Sequence, residues 1–256
     1  MRTLNWCWRL LATGFAFILF ALGALLLGLL LAPLIRLSPW NQVRRRHVAR
    51  RAIQRGVQFY VTILRCLGLL SVRFENVSAL AQPGVLVVAN HPTLLDAIFL
   101  MAVMPNATFI VKAAMARNPF TCWIVSLAGY IPNDEVGVEL VEKAAVALRA
   151  GETLMIFPEG TRTVGDQLKL KRGAAKIALA AGCPLLPVVI DCQPMTLRKQ
   201  EPWYAIPPQA PHFTMRVLPL MDISTLIDEH QPPGIKARTL TAALHERLSE
   251  ELQKLR

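Results

Sequence analysis

The feature that most constrains the fold is an uncharged apolar run near the start of the chain. No charged side chain occurs from Leu10 to Ile35, and the run is bracketed by Arg9 and Arg36. About 20 apolar residues are enough for a helix to cross the hydrocarbon core of a bilayer. A cleavable signal peptide would have a shorter apolar region ending at a small-residue cleavage site, whereas this run continues as far as Pro33. The run therefore predicts an uncleaved membrane helix.

A basic segment follows the apolar run. Its arginines alternate with apolar residues at roughly helical spacing, a pattern typical of an amphipathic helix that lies in the membrane interface with its arginines toward anionic headgroups. A solvated helical face is the alternative. Because only Arg2 and Arg9 precede the run, the positive-inside rule predicts that everything after residue 36 lies in the cytoplasm. The arginines of this segment are Arg44, Arg45, Arg46, Arg50, Arg51 and Arg55.

The positive charge of the chain is confined to this basic and apolar part. The net charge is +11, but residues 1–70 contain ten arginines and no acid, so residues 71–256 are nearly neutral. This distribution excludes nucleic acid as the partner that a basic protein would otherwise suggest. Only 18% of the residues are charged, below the roughly 25% of soluble proteins. We therefore expect membrane-anchoring helices over 1–70 and a globular domain over 71–256.

The globular part alternates short apolar runs with longer periodic segments. The alternation predicts an α/β fold with a largely parallel sheet and flanking helices, preceded by the membrane helix and the basic amphipathic helix. The predicted strands are 84–90, 107–111, 153–157, 184–190 and 213–219, and the predicted helices are 94–103, 119–128, 137–150 and 173–181. A stripe of leucines predicts a closing helix through Leu240, Leu244, Leu248 and Leu252.

The first of the predicted strands ends in a histidine with an aspartate five residues later. Pro92 biases His91 away from the helical region, and Thr93 is a suitable N-cap for a helix that begins just after it. His91 would then lie at the carboxyl end of a strand, where open α/β sheets bind ligands. A non-helical His91 could meet Asp96 from the first helical turn, so that the pair works as a base and its orienting group. A structural histidine is the alternative.

A second group of polar residues follows the strand at 153–157. Gly160 would let backbone N–H groups approach an anion, Thr161 adds a hydroxyl, and Arg162 offers a guanidinium suited to phosphate. A tight turn with a surface arginine is the alternative. Further cations occur at 171–172, before a helix start, where a solvated charge run is equally consistent with the pattern.

Taken together and in this order, the motifs resemble the glycerolipid acyltransferase family, the 1-acylglycerol-3-phosphate O-acyltransferase-like proteins, over roughly residues 70–200. His91 and Asp96 match the H-x4-D catalytic motif of the family, and Phe157 to Arg162 match its F-P-E-G-T-R acceptor-binding motif. Pro184 to Ile190 match its apolar fourth motif. Lys112 lies where the family often has a lysine, and Lys171 belongs to a segment similar to its F-K-x-G.

The resemblance implies a membrane-bound enzyme of phospholipid biosynthesis. It would transfer a fatty acyl group from acyl-CoA or acyl carrier protein to the free hydroxyl of 1-acylglycerol 3-phosphate in the lipid bilayer. His91 would deprotonate that hydroxyl and Asp96 would orient His91. The acceptor would be positioned by Glu159, Gly160, Thr161 and Arg162, with Lys112 and Lys171 as further phosphate partners. No metal or organic cofactor is implied.

The chain departs from the family at its second motif. The family normally has an Arg after a glycine and two or three apolar residues, whereas here Gly129–Pro132 runs on to Asn133, Asp134 and Glu135. The acceptor could therefore be a different lysolipid, such as a lysophospholipid or an amino-acid lipid. A non-catalytic membrane lipid-binding protein is the alternative of another class. A serine hydrolase is disfavoured, because no G-x-S-x-G occurs in the chain.

Overall fold

In the computed structural model, which describes residues 2–133, 137–165 and 167–255, a seven-stranded sheet lies between two layers of helices. The spatial order of the strands is β1-β7-β6-β2-β5-β3-β4. Strands β6, β2, β5, β3 and β4 run in one direction, while β7 pairs antiparallel with β6 and parallel with β1. The largely parallel sheet is therefore confirmed. The strands are β1 (Ser71–Glu75), β2 (Leu86–Ala89), β3 (Thr108–Lys112), β4 (Ile131–Asn133), β5 (Leu154–Ile156), β6 (Leu185–Gln193) and β7 (His212–Val217).

The helices between the strands agree with most of the sequence-based predictions. The predicted segments at 94–103, 119–128, 137–150 and 173–181 each contain a helix, and the leucine stripe lies on a long closing helix. Strands β1 and β4 were not expected. The helices are α1 (Arg2–Leu37), α2 (Gln42–Cys66), α3 (Asp96–Val103), α4 (Ala113–Arg117), α5 (Cys122–Ala128), α6 (Val138–Arg149), α7 (Gly173–Ala181) and α8 (Pro233–Leu255).

Two apolar layers cover the two faces of the sheet. Side chains alternate between the faces of a strand: Val87 of β2 packs into the cluster that includes α2, α3 and α5. Its neighbours Leu86 and Val88 pack into the cluster that includes α6, α7 and α8. The four leucines of the closing helix are buried in this second cluster, as the stripe predicts. The carboxyl ends of β2, β5, β3, β4 and β6 therefore meet at one edge between the layers.

Helix α1 lies along the domain and does not project from it. Near its start, Arg9 donates from Nη1 to the carbonyl of Pro207 (2.8 Å) and from Nη2 to that of Gln209 (3.0 Å). Near its end, the Arg36 guanidinium lies 5.2 Å from the ring centre of Trp123. The face of α1 that packs against the rest of the protein carries small residues. The large apolar residues on the opposite face of the helix are exposed. The buried small residues of α1 are Ala12, Ala16, Ala24 and Ala32. A boundary of domains at residue 70 stays a prediction.

Helix α2 is amphipathic, but one of its arginines faces the core. Arg50 is only 5% exposed and donates from Nε to the Ala128 carbonyl (2.8 Å) and from Nη2 to Glu152 (2.8 Å). Burial raises the pKa of Glu152, but the bond from Thr108 and the charge of Arg50 outweigh it and lower the pKa overall. The prediction that Arg50 faces headgroups is therefore wrong. Its position three residues before the buried Ile53 places it on the apolar stripe.

Candidate active site

The predicted base and its orienting group are in contact at the carboxyl edge of the sheet. The chain leaves β2 through Asn90, whose side chain continues the pairing with β6 by bonds of 2.7 Å to the Ile190 backbone N–H and carbonyl. His91 follows in non-helical backbone, and Asp96 is the first residue of α3. The His91 Nδ1 to Asp96 Oδ2 distance is 2.8 Å. The expected meeting of a non-helical histidine with the first helical turn is therefore observed.

Asp96 is completely buried and is held by the residue that had been expected to cap the helix. Thr93 donates from its backbone N–H to Asp96 Oδ2 (2.7 Å) and from its hydroxyl to Oδ1 (2.6 Å). The prediction of Thr93 as N-cap is wrong, since α3 begins at Asp96 after Leu95. Its hydroxyl donates to the carboxylate and accepts the backbone N–H of Leu95 (3.2 Å), directly before the helix. With the carboxylate accepting, His91 Nδ1 carries the proton and Nε2 keeps its lone pair for a substrate.

Glu159 connects the loop that contains His91 with the loop that follows β5. It is 5% exposed, and its Oε1 accepts the backbone N–H of His91 (2.9 Å) and the hydroxyl of Thr163 (2.8 Å). The backbone N–H of Thr163 in turn donates to the His91 carbonyl (2.7 Å). Burial raises the pKa of Glu159, partly offset by the two bonds that it accepts. This side chain therefore fixes the backbone at His91 from within the protein.

The ring of Phe157 forms the floor under His91. The ring centres are 3.9 Å apart and the planes are 15° from parallel. A stacked aromatic ring restricts rotation of the imidazole and shields one of its faces from water. The sequence analysis did not assign this role, although Phe157 is the first residue of the matched F-P-E-G-T-R motif.

Lys171 lies beside the loop that follows β5. Its backbone N–H donates to the Pro158 carbonyl (2.9 Å), and its Nζ lies 3.0 Å from the point that a Cβ on Gly160 would occupy. Gly160 has φ +68°, so this turn favours glycine for its conformation as well as for the space. The structure thus brings together Gly160 and Lys171, with the half-buried Thr161 next to them. The exposed Lys112 lies at the end of β3, two strands from β2, about 10 Å across the sheet.

Arg162 is engaged by backbone carbonyls of the loop after β6. Its Nη1 donates to the carbonyls of Leu197 and Arg198, both at 2.8 Å. The Leu197 carbonyl also accepts the backbone N–H of Leu94 (3.2 Å) and so connects the loops of both motifs. Leu197 has φ +52°, a left-handed conformation unusual for leucine. Sequence reasoning had no signal for this connection, because every residue has a carbonyl.

Only part of the second motif of the family, which begins at Gly129, lies within the described residues. Gly129 ends α5, Tyr130 is buried, and Asn133 is exposed at the end of β4. Asp134 and Glu135, where the sequence departs from the family, lie outside the described residues. Within residues 2–133, 137–165 and 167–255 no group of three or more His, Cys, Asp or Glu is arranged to hold a metal ion.

Comparison with known proteins identifies relatives of the part that contains the site. Residues 71–191 match the family model described as Acyltransferase. A chloroplastic 1-acyl-sn-glycerol-3-phosphate acyltransferase of Brassica napus is 29% identical over 121 residues, which are 45% of this chain and 35% of that protein. A lyso-ornithine lipid O-acyltransferase of Pseudomonas aeruginosa is 36% identical over 108 residues, 41% of this chain and 42% of that protein. The chain thus spans 35% and 42% of the length of these two relatives.

The fold resembles one solved structure over its whole length. The crystal structure of the 1-acyl-sn-glycerophosphate acyltransferase of Thermotoga maritima superposes with a TM-score of 0.77. The match covers 100% of this chain and 98% of that chain at 20% sequence identity. The similarity therefore extends to α1 and α2 before residue 71 and to β7 and α8 after residue 191.

Proposed function

We propose that the chain is an O-acyltransferase, because residues 71–191 match the family model described as Acyltransferase, as the motifs predict. It transfers a fatty acyl group from an acyl thioester to the free hydroxyl of a lysolipid in phospholipid biosynthesis. The observation that supports this proposal most directly is the pair of His91 and Asp96 at the carboxyl edge of the sheet, 2.8 Å apart with the carboxylate completely buried. A lipid-binding protein without catalysis has no need of such a pair.

The geometry supports a single displacement through a tetrahedral intermediate. His91 Nε2 accepts the hydroxyl proton while the acceptor oxygen forms a bond to the thioester carbonyl carbon. The negative charge of Asp96 stabilises the imidazolium and keeps the ring in place. When the intermediate collapses, the carbon–sulfur bond breaks and the imidazolium returns the proton to the departing thiolate. Glu159 and Phe157 hold the backbone and the ring of His91 during both steps.

We propose a lysophosphatidate-type acceptor, with Lys171, Arg162 and Lys112 as the cations nearest to its phosphate. A second candidate is an amino-acid lysolipid, and three observations favour it. Arg162 already gives Nη1 to two carbonyls, and the segment Gly129–Asn133 contains no arginine. The Pseudomonas relative is named for such an acceptor, lyso-ornithine lipid.

The proposed function is tested with purified full-length protein in mixed micelles. We expect incubation with an acyl thioester to give a diacyl product from lysophosphatidate, detected by mass spectrometry, and a yield at least about 10²-fold lower with His91→Ala. A larger yield from lyso-ornithine lipid would identify the amino-acid lysolipid as the preferred acceptor and would still support acyl transfer as the reaction. Lysophosphatidylcholine is the control for a lysolipid with a shielded phosphate. Absence of product from every lysolipid in the presence of folded protein would refute the acyltransferase proposal.

We also propose that the protein is embedded in a membrane through α1. The helix is long and apolar enough to cross a bilayer, but both of its ends contact the same domain, through Arg9 and Arg36. A spanning helix would have its ends on opposite sides, so we infer that α1 lies in one leaflet, in the plane of the membrane. The proposed side is the cytoplasmic one, where the exposed arginines Arg44, Arg51 and Arg55 of α2 meet anionic lipid. The exposed apolar residues of α1 include Leu11, Phe15, Ile18, Leu22, Leu26, Leu30 and Leu34.

A small cavity of about 50 Å³ lies beneath α1. It lies between α1, α2 and the loop 195–211, and its lining includes the apolar side chains of Phe17, Leu64 and Leu95. Small-molecule sites have volumes of about 300 Å³ or more, so this cavity does not hold a lipid tail without a displacement of α1 or the loop.

The membrane proposal predicts that the exposed face of α1 controls binding to vesicles. Replacing Leu22 and Leu26 by Glu should lower partitioning by about 10-fold or more, because burying a leucine contributes about 1.5 to 3 kcal/mol. The measurement is co-sedimentation with vesicles of a phosphatidylethanolamine and phosphatidylglycerol mixture. The control is Leu220→Glu, which changes an exposed leucine outside α1. Equal partitioning of the α1 variant and the wild type would contradict the proposal.

A further inference from the structure

A basic groove opens on the side of the sheet opposite to α1. It lies between the segment before α7 and the helix α8, in the layer formed by α6, α7 and α8. Its volume is about 370 Å³, within the range of small-molecule sites. The His245 ring donates from Nε2 to the Leu168 carbonyl (3.1 Å), which fixes one wall. The groove is lined by Leu170, Arg172, Arg238, Thr241, Ala242 and His245.

The groove is adjacent to the reactive centre. Phe157 stacks on His91, and the next residue, Pro158, accepts the backbone N–H of Lys171. Arg172 follows Lys171 directly and lines the groove. A flexible ligand with its reactive group at His91 could therefore extend past Lys171 and into the groove.

The chemistry of the lining favours a ligand with several phosphate groups and a flat apolar part. Arg172 and Arg238 are exposed guanidiniums from two different elements that line one groove, and guanidinium groups bind phosphate in a bidentate manner. Leu170 and Ala242 give an apolar surface between them. The groove also lies on the face away from the proposed membrane side, where a water-soluble group would arrive.

We propose that this groove binds the nucleotide end of an acyl-CoA donor, an inference that rests on the proposed acyl transfer. With the thioester at His91 and the pantetheine arm passing Lys171, Arg172 holds the diphosphate, and Arg238 on α8 holds the 3′-phosphate at the distal end of CoA. The adenine lies against Leu170 and Ala242. Donor and acceptor then reach His91 from opposite sides of the sheet, so neither has to leave before the other enters.

The proposal is tested by direct binding, without any turnover. Full-length protein in detergent micelles is titrated with CoA and with 3′-dephospho-CoA in a calorimeter. We expect Arg238→Ala to weaken CoA binding by about 10-fold, the scale of one charge-assisted hydrogen bond. Removal of the 3′-phosphate should weaken binding to the wild type by a similar factor and should have no further effect in Arg238→Ala. Arg172→Ala should weaken the binding of both ligands.

The matched control is Arg247→Ala, the same change on the opposite face of α8, nine residues and about 180° further along the helix. It should bind both ligands as the wild type does. The proposal is overturned if Arg238→Ala binds CoA normally, or if it loses the same factor with both ligands. It is also overturned if the protein acylates lysolipid from acyl carrier protein but does not bind CoA. Arginine-dependent CoA binding without any acylation would support the groove and refute the proposed function.

Discussion

His91→Ala is expected to lower acyl transfer by about 10² to 10⁴-fold while the protein stays folded and membrane-bound, because a positioned acid–base group contributes on this scale. Asp96→Asn should produce a loss of similar size. An asparagine can still accept the Thr93 N–H and the His91 Nδ1–H, so the ring keeps its place. What it removes is the negative charge that stabilises the imidazolium.

Rates are measured at saturating donor and acceptor, with the thermal unfolding midpoint as the check on folding. The matched control is His230→Ala, an exposed histidine in the loop before α8. Its turnover should equal that of the wild type. Near wild-type turnover of a verified His91→Ala preparation would exclude general-base catalysis by this residue.

Glu152→Gln is expected to lower the free energy of unfolding by about 3 to 5 kcal/mol, because it leaves the Arg50 guanidinium buried without its charged partner. Arg50 and Glu152 join α2 to the start of β5, and Thr108 donates to the same carboxylate. Glutamine has the same shape as glutamate, so the loss of stability measures the contribution of the negative charge. Denaturant unfolding in micelles measures it.

The control for this variant is Glu142→Gln, which removes the exposed ion pair with Arg149 and should cost less than about 1 kcal/mol. The effect should also depend on pH. The folded pKa of Glu152 is lowered from the unfolded value of about 4.3, so its contribution is complete above that value and disappears as pH falls through the folded pKa. A difference between variant and wild type that stayed constant at acid pH would contradict this assignment.

The sequence was sufficient to predict those elements whose structure is determined by a local pattern of residues. Short apolar runs predicted β2, β3, β5, β6 and β7, and a proline beside His91 predicted its non-helical backbone. Strand β4 was missed because it is three residues long and contains Pro132. Strand β1 was missed because it is a short strand at the edge of the sheet, with Arg73 and Glu75 among its five residues.

The features of the site that could not be predicted from the sequence depend on contacts between residues that are far apart in the chain. The role of Leu197 depends on a carbonyl that accepts from Arg162 and Leu94, and no side-chain pattern marks a carbonyl. Arg50 was predicted to face lipid with the other arginines of α2. Its spacing from Ile53, Val61 and Leu64 along the buried face was a usable signal, but its carboxylate partner lies 102 residues away.

The pairing of β1 with β7 affects how the chain folds. Ser71 and His212 are register partners although 141 residues separate them, so closing this part of the sheet requires ordering a very long loop. During synthesis β1 emerges early and has no partner until β7 has left the ribosome. A fragment cut at the family boundary, residue 191, would keep β1 but lack β7, and the remaining edge of β6 would be open to aggregation. The independently folding unit is therefore longer than the homologous segment.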